Sequence, residues 1–239
     1  MKNYIDISQQ EQNNNIYRIF KVERLIELFE QMNNALVKPE LWDDPFENFI
    51  LNIPIKQKTG KKHKSELRNR GYGQCWTLNV ESDAMWRIYS PDKNGVKIQT
   101  KIRKLFQSLY SAQTSYASLS CFIGKVTYYP KDKIDKLVED RLAGTERFNG
   151  NIGQARSLLF KRNAFKHEKE VRLIYLDPHN QSDSNVYLYP CDPLTLIDRI
   201  TFDPRMNTRL YRIYRDHLRV IGFKGPVIQS GLYRPPRYS

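Results

Sequence analysis

The chain has 239 residues, and its 39 Lys and Arg against 26 Asp and Glu give a formal net charge of +13. Its longest apolar stretch, near residues 49–55, is too short to span a bilayer and no signal segment precedes it, which excludes a membrane protein and favours a cytoplasmic one. This length suits one hydrophobic core, and because no shift of composition divides the chain we expect a single domain. The positive charge attracts polyanions, so nucleic acid is a candidate partner.

In chain order, the first predicted elements are a disordered N-terminus, a strand and a helix. Residues 1–14 are polar and rich in Asn and Gln, which predicts disorder. The following IYRIFKV predicts a strand that carries Arg18, and apolar residues at helical spacing from Val22 to Met32 predict a helix. We expect residues 15–239 to form the folded domain.

A basic loop is predicted next, over residues 56–72, because this stretch is rich in Lys and Arg and has no apolar periodicity. Its Lys61, Lys62 and Lys64 are candidate contacts to nucleic-acid phosphates. In the segment LWDDPFEN before the loop, Glu47 either helps to close a turn or reaches a functional site.

The rest of the chain predicts more strands than helices. Strand patterns occur in GQCWTLN, KNGVKIQT, CFIGKVTYY, EVRLIYLD, NVYLYP, LIDRITFD and PVIQS, and helical patterns occur in SDAMWRIYS and at residues 131–142, 153–166 and 206–219. Because strands dominate late and do not alternate regularly with helices, we expect an α+β fold. Its central sheet is predicted to be mixed or antiparallel, or split, with helices at the periphery.

The predicted helix at residues 206–219 has two distinct faces. Its arginines cover about one third of the helical wheel and its apolar residues lie opposite. The arginines are Arg205, Arg209, Arg212, Arg215 and Arg219, and the apolar residues are Leu210, Ile213, Tyr214 and Leu218. This pattern predicts one face in the core and an arginine stripe on the other. The stripe either follows nucleic-acid phosphates or is a solvated surface.

Signatures of metal and nucleotide sites are absent from the sequence. Cys75, Cys121 and Cys191 are widely spaced and odd in number, which argues against disulfides or a thiolate zinc site. The four histidines show no HExxH spacing, and neither GxGxxG nor a P-loop motif occurs. We therefore expect no protein-bound metal.

Two acidic residues at the start of a predicted strand are the strongest candidates for chemistry. Glu168 and Glu170 are one residue apart in KHEKEVRLIYL. Residues i and i+2 of a strand share a face with Cβ atoms about 7 Å apart, so both carboxylates can contact one sugar. Such a pair can hold ribose hydroxyls and stabilise the oxocarbenium ion that forms when a glycosidic bond breaks. Alternatively, the glutamates form ion pairs with Lys169, Arg172 or cross-strand bases.

Several segments resemble a large bacterial family known only as a domain of unknown function. The resemblance runs from about residue 16 onward and is carried by IYRIFKVERLIELFE, LWDDPFEN, QCWTLNVESDAMWRIYSPDKNGVKI, KVTYYP, FKRNAFKHEKEVRLI, RITFDPR and VIQSGLYR. The family's motifs are N-D-P-F-E, C-F-S followed by M-W-x-x-Y and G-V, and K-x-x-x-W-x-x-E-x-E-x-R. Here Asp43 stands at the usual Asn, and Trp76 and Thr77 replace the Phe and Ser.

A second resemblance concerns function. Arg18 on an early strand, Thr77 on a middle strand and the E-x-E of Glu168 and Glu170 resemble the R-S-E arrangement of NAD-dependent ADP-ribosyltransferases. This resemblance implies that Arg18 binds a phosphate or ribose of NAD and that Thr77 supports the strand beside the nicotinamide. It also implies that Glu170 is the catalytic glutamate and that Glu168 orients the acceptor or the second ribose hydroxyl.

The chemistry of NAD adds two further candidates to this implied site. A pyrophosphate needs a fixed guanidinium, the developing ribosyl cation needs a carboxylate, and the nicotinamide ring needs an aromatic neighbour. Trp76 and Tyr89 are the candidate aromatic neighbours.

These observations favour an ADP-ribosyltransferase-like toxin or anti-phage defence effector that uses NAD. Nucleic acid is the predicted acceptor, and a cognate antitoxin or a defence protein is the predicted partner. Two alternatives remain open. One is a non-catalytic nucleic-acid-binding module that uses the basic loop and the arginine stripe. The other is a metal-dependent nuclease, which is disfavoured because Glu170 stands where a nuclease strand carries its lysine.

Overall fold

The computed structural model describes residues 2–42, 44, 47, 55–56, 62–63, 70–113, 115–142, 150–179 and 184–235. Its strands in these ranges are β1 (Tyr4–Ile5), β2 (Asn15–Lys21), β3 (Asn33–Val37), β4 (Ile55–Lys56), β5 (Lys62–His63), β6 (Gly71–Thr77), β7 (Gly95–Lys101), β8 (Cys121–Lys125), β9 (Thr127–Tyr129), β10 (Phe160–Arg162), β11 (Glu170–Leu176), β12 (Val186–Pro190), β13 (Arg199–Phe202) and β14 (Val227–Gln229).

The α-helices in the same ranges are α1 (Val22–Gln31), α2 (Asp83–Tyr89), α3 (Ile102–Ala112), α4 (Ala117–Ser120), α5 (Lys131–Leu142), α6 (Gly150–Ser157), α7 (Pro193–Leu196) and α8 (Thr208–Val220). Short 3-10 helices occupy Glu11–Asn13, Pro39–Leu41 and Asn163–Glu168. None of the helices in the described ranges has the length and apolar character needed to cross a membrane.

A ten-stranded sheet organises the molecule. Eight of its strands follow the order β1-β8-β11-β6-β2-β7-β13-β14, while β3 pairs with β6 and β12 pairs with β3. Pairs β1–β8 and β13–β14 are parallel, and the other pairs in this sheet are antiparallel. The predicted α+β class with a mixed central sheet is therefore confirmed.

The sheet divides beside β6. In the described residues β6 meets β2 at one pair, Tyr17 with Thr77, and meets β3 at one pair, Val37 with Gly73. Because these pairs lie towards opposite ends of β6, β2 and β3 occupy different parts of its edge. The space between β2, β3 and β6 forms the cavities of the candidate site.

Helix α1 shows how the sequence places an element against the sheet. Its helical spacing predicts a buried stripe that includes Ile26 and Met32, but Ile26 is half-buried and Met32 is 43% exposed. The buried residues are Val22, Leu25, Leu28 and Phe29. They join the largest core cluster, which also contains residues of α3, β6 and β11. Helix α1 ends at Met32, whose left-handed φ of 53° allows its N–H to donate to the Leu28 carbonyl.

Helix α2 is fixed at both ends, and this matters because it carries Tyr89. At its start the Ser82 hydroxyl accepts from the Met85 N–H at 3.2 Å, so Ser82 is the N-cap. At its end the Ser90 hydroxyl donates to the buried Asp203 carboxylate at 2.6 Å. Asp203 therefore ties this helix to the end of β13.

The prediction of a disordered N-terminus is wrong. Strand β1 pairs in parallel with β8, and Ile5 is only 1% exposed. The Asn3 amide donates to the carbonyls of Ser118 and Cys121, both at 2.8 Å. Polar composition was misleading because two buried isoleucines, Ile5 and Ile7, and two backbone-directed hydrogen bonds are enough to add a short strand to an existing sheet edge.

Three other element boundaries differ from the predictions. The helix expected at 153–166 is α6, which ends at Ser157 and is followed by β10 and the 3-10 helix Asn163–Glu168. The predicted basic loop overlaps β6, which begins at Gly71. Within that predicted loop, Lys62 lies in β5, which pairs with β4, whereas Lys61 and Lys64 lie outside the described residues.

Candidate active site

A cavity of about 170 Å³ lies where the sheet divides. The residues predicted to act on NAD all line it, although they come from β2, β6, α2 and the segment that leads into β11. They are Arg18, Trp76, Thr77, Tyr89, Glu168 and Glu170. A larger cavity of about 450 Å³ shares Arg18, Val37 and Trp76 with the first.

Strand pairing sets three side chains of the smaller cavity in a row. Tyr17 lies opposite Thr77, and Thr77 lies opposite Glu170 on the next strand. Residues directly opposite each other in a sheet share a face, so these three side chains point the same way. Arg18 follows Tyr17 and therefore points to the other face. It borders both cavities, so it approaches the site from the side of β2 opposite to the glutamates.

Arg18 has no anionic partner within the part of the chain that the structure describes. Among the described residues, no ion pair or hydrogen bond involves its guanidinium, whose carbon lies 5.3 Å from the centroid of the Phe20 ring. Burial lowers the pKa of Arg18 from its ordinary value. A guanidinium that borders a cavity and lacks a carboxylate is suited to bind an anion such as a phosphate.

The glutamates belong to a buried charge cluster that also contains Glu47, Lys161 and Arg172. The Lys161 Nζ lies 2.6 Å from Glu168 Oε2, 2.6 Å from Glu170 Oε1 and 3.2 Å from Glu47 Oε1. Arg172 donates to Glu170 Oε2 at 2.6 Å and to Glu47 Oε1 at 2.8 Å. Each of the five side chains is at most 9% exposed. The cluster thus sets three carboxylates against two cations.

This cluster gives the two glutamates opposite pKa shifts. Burial and the hydrogen bond with Glu170 raise the pKa of Glu168. Burial would also raise the pKa of Glu170, but the charge of Arg172 and the contacts with Glu168 and Lys161 outweigh it and lower that pKa. Burial likewise disfavours the Lys161 cation, and the charges of Glu170 and Glu47 reverse this and raise its pKa. Glu170 is therefore the anion, and Glu168 is the carboxylate that accepts a proton more readily.

The predicted placement of Glu168 on a strand is wrong. Glu168 is the last residue of a 3-10 helix, Lys169 has a left-handed φ of 46°, and β11 begins only at Glu170. The two carboxylates meet through Lys161 and not through the alternation of a strand. The ion pairs considered as the alternative role also exist, with Arg172 and Lys161 as the bases. Both glutamates nevertheless line the cavity.

Thr77 and Tyr89 hold Glu168 in place. The Thr77 hydroxyl donates to the Glu168 carbonyl at 2.5 Å and accepts from the Asn79 N–H at 3.0 Å. The Tyr89 hydroxyl donates to Glu168 Oε1 at 2.9 Å. Burial and the nearby Glu168 charge raise the pKa of Tyr89, so it stays a hydrogen-bond donor. Thr77 thus fixes the backbone of Glu168 and Tyr89 fixes its carboxylate.

Trp76 is held rigidly between the two cavities. Its indole N–H donates to Gln74 Oε1 at 2.8 Å, and the Gln74 amide donates in turn to Asn34 Oδ1 and to the Ala35 carbonyl, both at 2.8 Å. The Trp76 side chain is 2% exposed. Neighbouring Cys75 also lines the smaller cavity, and burial raises the pKa of its thiol to about 12, so it is not a thiolate.

Sequence reasoning missed Lys161 and named Arg172 only as a possible ion-pair partner of the glutamates. The signal was present in the spacing K-x-x-x-W-x-x-E-x-E-x-R, since Lys161, Glu168, Glu170 and Arg172 are its charged positions and all four meet in one cluster. Glu47, which had two open roles, reaches this cluster. The D-D-P-F-E and E-x-E-x-R segments, far apart in sequence, therefore contact each other. Among the described residues, no group of three or more His, Cys, Asp or Glu is arranged to hold a metal ion.

The predicted arginine stripe on α8 does not lie at the cavity. Helix α8 packs beside β14, at the end of the sheet, while the cavity adjoins β6, β2 and β3. Arg209 and Arg212 are exposed, and Arg215 forms an ion pair with Asp216 at 2.8 Å. The tertiary structure therefore does not bring these arginines to the glutamates.

The predicted core face of α8 is partly wrong. Leu210 and Ile213 are 47% and 55% exposed, while Leu218 is buried. The rings of Tyr211 and Tyr214 pack on Phe202 and set the rotation of the helix, which leaves Leu210 and Ile213 on the solvent side. Aliphatic and arginine side chains consequently share the exposed surface of α8.

Comparison with known proteins finds a matching family model and similar solved structures. Residues 85–173 match the model of a family described as a protein of unknown function (DUF2971). This match confirms the predicted resemblance over that segment, which includes most of α2 and the Glu168–Glu170 pair. None of the curated proteins matches the chain.

The structures similar to this chain include DarT from Thermus sp. 2.9. Its complex with carba-NAD+ has a TM-score of 0.40 and 11% identity, covering 92% of this chain and 96% of DarT. The complex with NAD+ has a TM-score of 0.40 and 11% identity, with 91% and 95% covered. The complex with ADP-ribosylated ssDNA has a TM-score of 0.41 and 10% identity, with 94% and 95% covered. Structural similarity at this level does not by itself indicate a shared function.

Proposed function

We propose that this protein is an ADP-ribosyltransferase-like enzyme that uses NAD as its substrate. The observation that carries the proposal is one cavity bordered by the ionised Glu170, which pairs with Lys161 and Arg172, and by the Arg18 guanidinium, which has no ion-pair partner among the described residues. Cleavage of the bond between nicotinamide and ribose needs negative charge beside the ribosyl cation and a fixed positive group for the pyrophosphate. The cavity supplies both from residues that the fold holds in place.

The two cavities suggest how NAD would lie. The shared residue Arg18 would bind the pyrophosphate, with the nicotinamide ribose in the smaller cavity beside Glu170. The adenosine would enter the larger cavity, which has an apolar wall formed by Phe20, Leu28 and Ile98. The same cavity is also lined by the polar residues Arg24, Glu27, Gln31, Asn33 and Asn34. Apolar side chains together with a few placed polar groups are the usual lining of a small-molecule site.

The reaction would proceed by substitution at the ribose carbon. As the bond to nicotinamide breaks, its electron pair passes to the nicotinamide nitrogen and positive charge develops on the ribose. The Glu170 carboxylate stabilises that charge. A nucleophile on the acceptor then bonds to the same carbon and loses a proton, which Glu168 is suited to accept because burial raises its pKa.

We further propose nucleic acid as the acceptor, in the setting of a cytoplasmic toxin or an anti-phage defence effector that a partner protein controls. The net charge of +13 supports an anionic acceptor. DarT itself has been solved in complex with ADP-ribosylated ssDNA.

Two variants separate binding from chemistry. Glu170→Gln should lower nicotinamide release by about a hundredfold or more but leave NAD-dependent thermal stabilisation, since Arg18 still holds the pyrophosphate. Arg18→Met should instead remove the stabilisation and raise KM, because the guanidinium binds ground state and transition state alike.

Glu30→Gln, which changes an exposed glutamate of α1, is the matched control and should behave as the wild type. Nicotinamide release measured by chromatography and thermal shifts with NAD decide the outcome. Wild-type turnover by Glu170→Gln would exclude the assignment of Glu170. A wild-type protein that neither binds nor cleaves NAD would leave the nucleic-acid-binding module as the better proposal.

A further inference from the structure

Lys161 occupies an unusual position among the charged residues of the site. It comes from β10, which pairs with β9 in a small sheet separate from the main one. From there its ammonium reaches Glu168 and Glu170 at 2.6 Å each and Glu47 at 3.2 Å. The same Nζ lies 4.7 Å from the centroid of the Phe165 ring. A lysine has three N–H donors, and here three carboxylates surround them.

Lys161 and Arg172 both contact Glu170 and Glu47, and they differ at Glu168. The contacts of Arg172 are with Glu170, Glu47 and the Leu158 carbonyl. Among the described cations, Lys161 is the one that contacts both glutamates of the pair. Without it, two carboxylates at the cavity wall would repel each other, and one of them would move away or take up a proton.

We infer that Lys161 is a positioning residue: it bridges Glu168 and Glu170, holds both carboxylates at the cavity wall, and keeps Glu170 an anion while Glu168 faces the acceptor. The catalytic meaning of this inference rests on the proposed function, whereas the bridge itself is tested without NAD. Lys161 does not contact the reacting atoms and acts through the glutamates.

A purely structural role for Lys161 makes a different prediction. In that case Lys161→Met lowers the stability of the fold, and the glutamates that remain titrate as before. In the positioning role, the glutamates themselves change their titration and the dependence of activity on pH changes with them.

The decisive experiment is a titration of ¹³C-labelled glutamates by NMR in wild type, Lys161→Met and Lys161→Arg. Loss of the cation should move the titration of the Glu168–Glu170 pair upward by about one pH unit or more, and Lys161→Arg should restore it in large part. Lys166→Met removes an exposed lysine of the neighbouring 3-10 helix and should leave the titration unchanged.

Activity provides the second measurement. In Lys161→Met the acid limb of the kcat profile for nicotinamide release should move to higher pH, and kcat should fall by about a hundredfold as the carboxylates shift. KM for NAD should change little, because Arg18 is not altered. The pH profile separates this role from a structural one, which would leave its midpoint in place.

Each result gives a clear answer. A folded Lys161→Met protein with unchanged glutamate titration overturns the inference, whether or not the wild type cleaves NAD. A shifted titration together with a wild type that releases no nicotinamide supports the bridge and overturns the proposed function. If Lys161→Met does not fold, the comparison is between Glu168→Gln and the double variant Glu168→Gln/Lys161→Met, which has one carboxylate fewer to balance. An identical Glu170 titration in those two proteins likewise overturns the inference.

Discussion

Glu168 and Glu170 show how the same side chain acquires different properties two positions apart. Glu168 ends a 3-10 helix and accepts hydrogen bonds from Tyr89 and Lys161, whereas Glu170 opens a fully buried strand and pairs with Arg172. Burial acts on both carboxyl groups in the same direction, and the nearby guanidinium reverses it only for Glu170. The local charge, and not the residue type, decides which acid is ionised.

The raised pKa of Glu168 predicts a gain in stability on its removal. A carboxyl whose pKa is higher in the folded state binds a proton more tightly there, so it has no cost below its unfolded pKa and an increasing cost as the pH rises through the folded pKa. Glu168→Gln cannot ionise and should therefore be more stable than the wild type at pH 8. The difference in stability should vanish near pH 4, because the Glu168 carboxyl is then mostly protonated in both the folded and the unfolded protein.

Urea unfolding at the two pH values measures this difference. Glu139→Gln, at an exposed position of α5, is the control and should show no difference at either pH. A Glu168→Gln protein that is less stable than the wild type at pH 8 would mean that the ion pair with Lys161 outweighs the cost of burial. The same variant should lose most of its activity, because it can no longer accept a proton.

The structure contradicts the sequence-based prediction for two elements, β1 and α8. In both cases a few buried contacts are the reason. The N-terminal segment that contains β1 has little apolar content, but Ile5 packs with Phe122 and Leu159 in the second core cluster. Helix α8 has strong amphipathic character, but its tyrosines and Leu218, rather than Leu210 and Ile213, provide the inner face. Tertiary contacts overrode composition in the first element and helical periodicity in the second.

One pair of isoleucine variants tests both placements. Ile5→Ala should lower the free energy of unfolding by about 3 kcal/mol, because it leaves a cavity in a closely packed core. Ile213→Ala removes a side chain that is 55% exposed and should change the stability by less than about 0.5 kcal/mol. Chemical denaturation of the two variants provides the comparison. Equal losses in both would contradict the arrangement of β1 and α8.

At the scale of the whole molecule, the exposed arginines of α8 and the candidate active site lie in different places. The cavity lies where the sheet divides beside β6, with the charge cluster on its wall, while the exposed arginines of α8 lie beside β14. Long-range attraction of an anionic acceptor depends on the net charge of +13 and not on contact with the site. The arginines of α8 are therefore expected to affect acceptor affinity and not NAD cleavage.

Binding to a single-stranded oligonucleotide at several salt concentrations tests this separation. The wild-type affinity should fall steeply with salt, and Arg209→Gln/Arg212→Gln should reduce the slope of log affinity against log salt by about two, or about one for each lost phosphate contact. Lys133→Gln/Lys136→Gln removes two exposed lysines of α5 and is the matched control for net charge. If both double variants reduce the slope equally, α8 is a solvated face. NAD cleavage without acceptor should be unchanged in both.

The sequence alone determined the elements that depend on local pattern. Helical spacing located α1, the helical pattern of SDAMWRIYS located α2, and the irregular order of strands and helices indicated an α+β fold with a mixed sheet. The residues predicted to act on NAD were selected by motif, and their side chains line one cavity; their roles in catalysis remain predictions. These successes have one cause, since spacing and capping act within a few neighbouring residues.

Only the tertiary structure decided what depends on distant residues meeting. Lys161 reaches the glutamates because β10 contacts the 3-10 helix Asn163–Glu168 that leads into β11, and Glu47 joins them from more than a hundred positions away. Whether Glu168 is easily protonated and Glu170 ionised follows from how many cations and carboxylates the fold buries together. Electrostatic energies in a buried cluster depend on distances of a few ångströms between side chains, and such distances are not encoded in the spacing of residues along the chain.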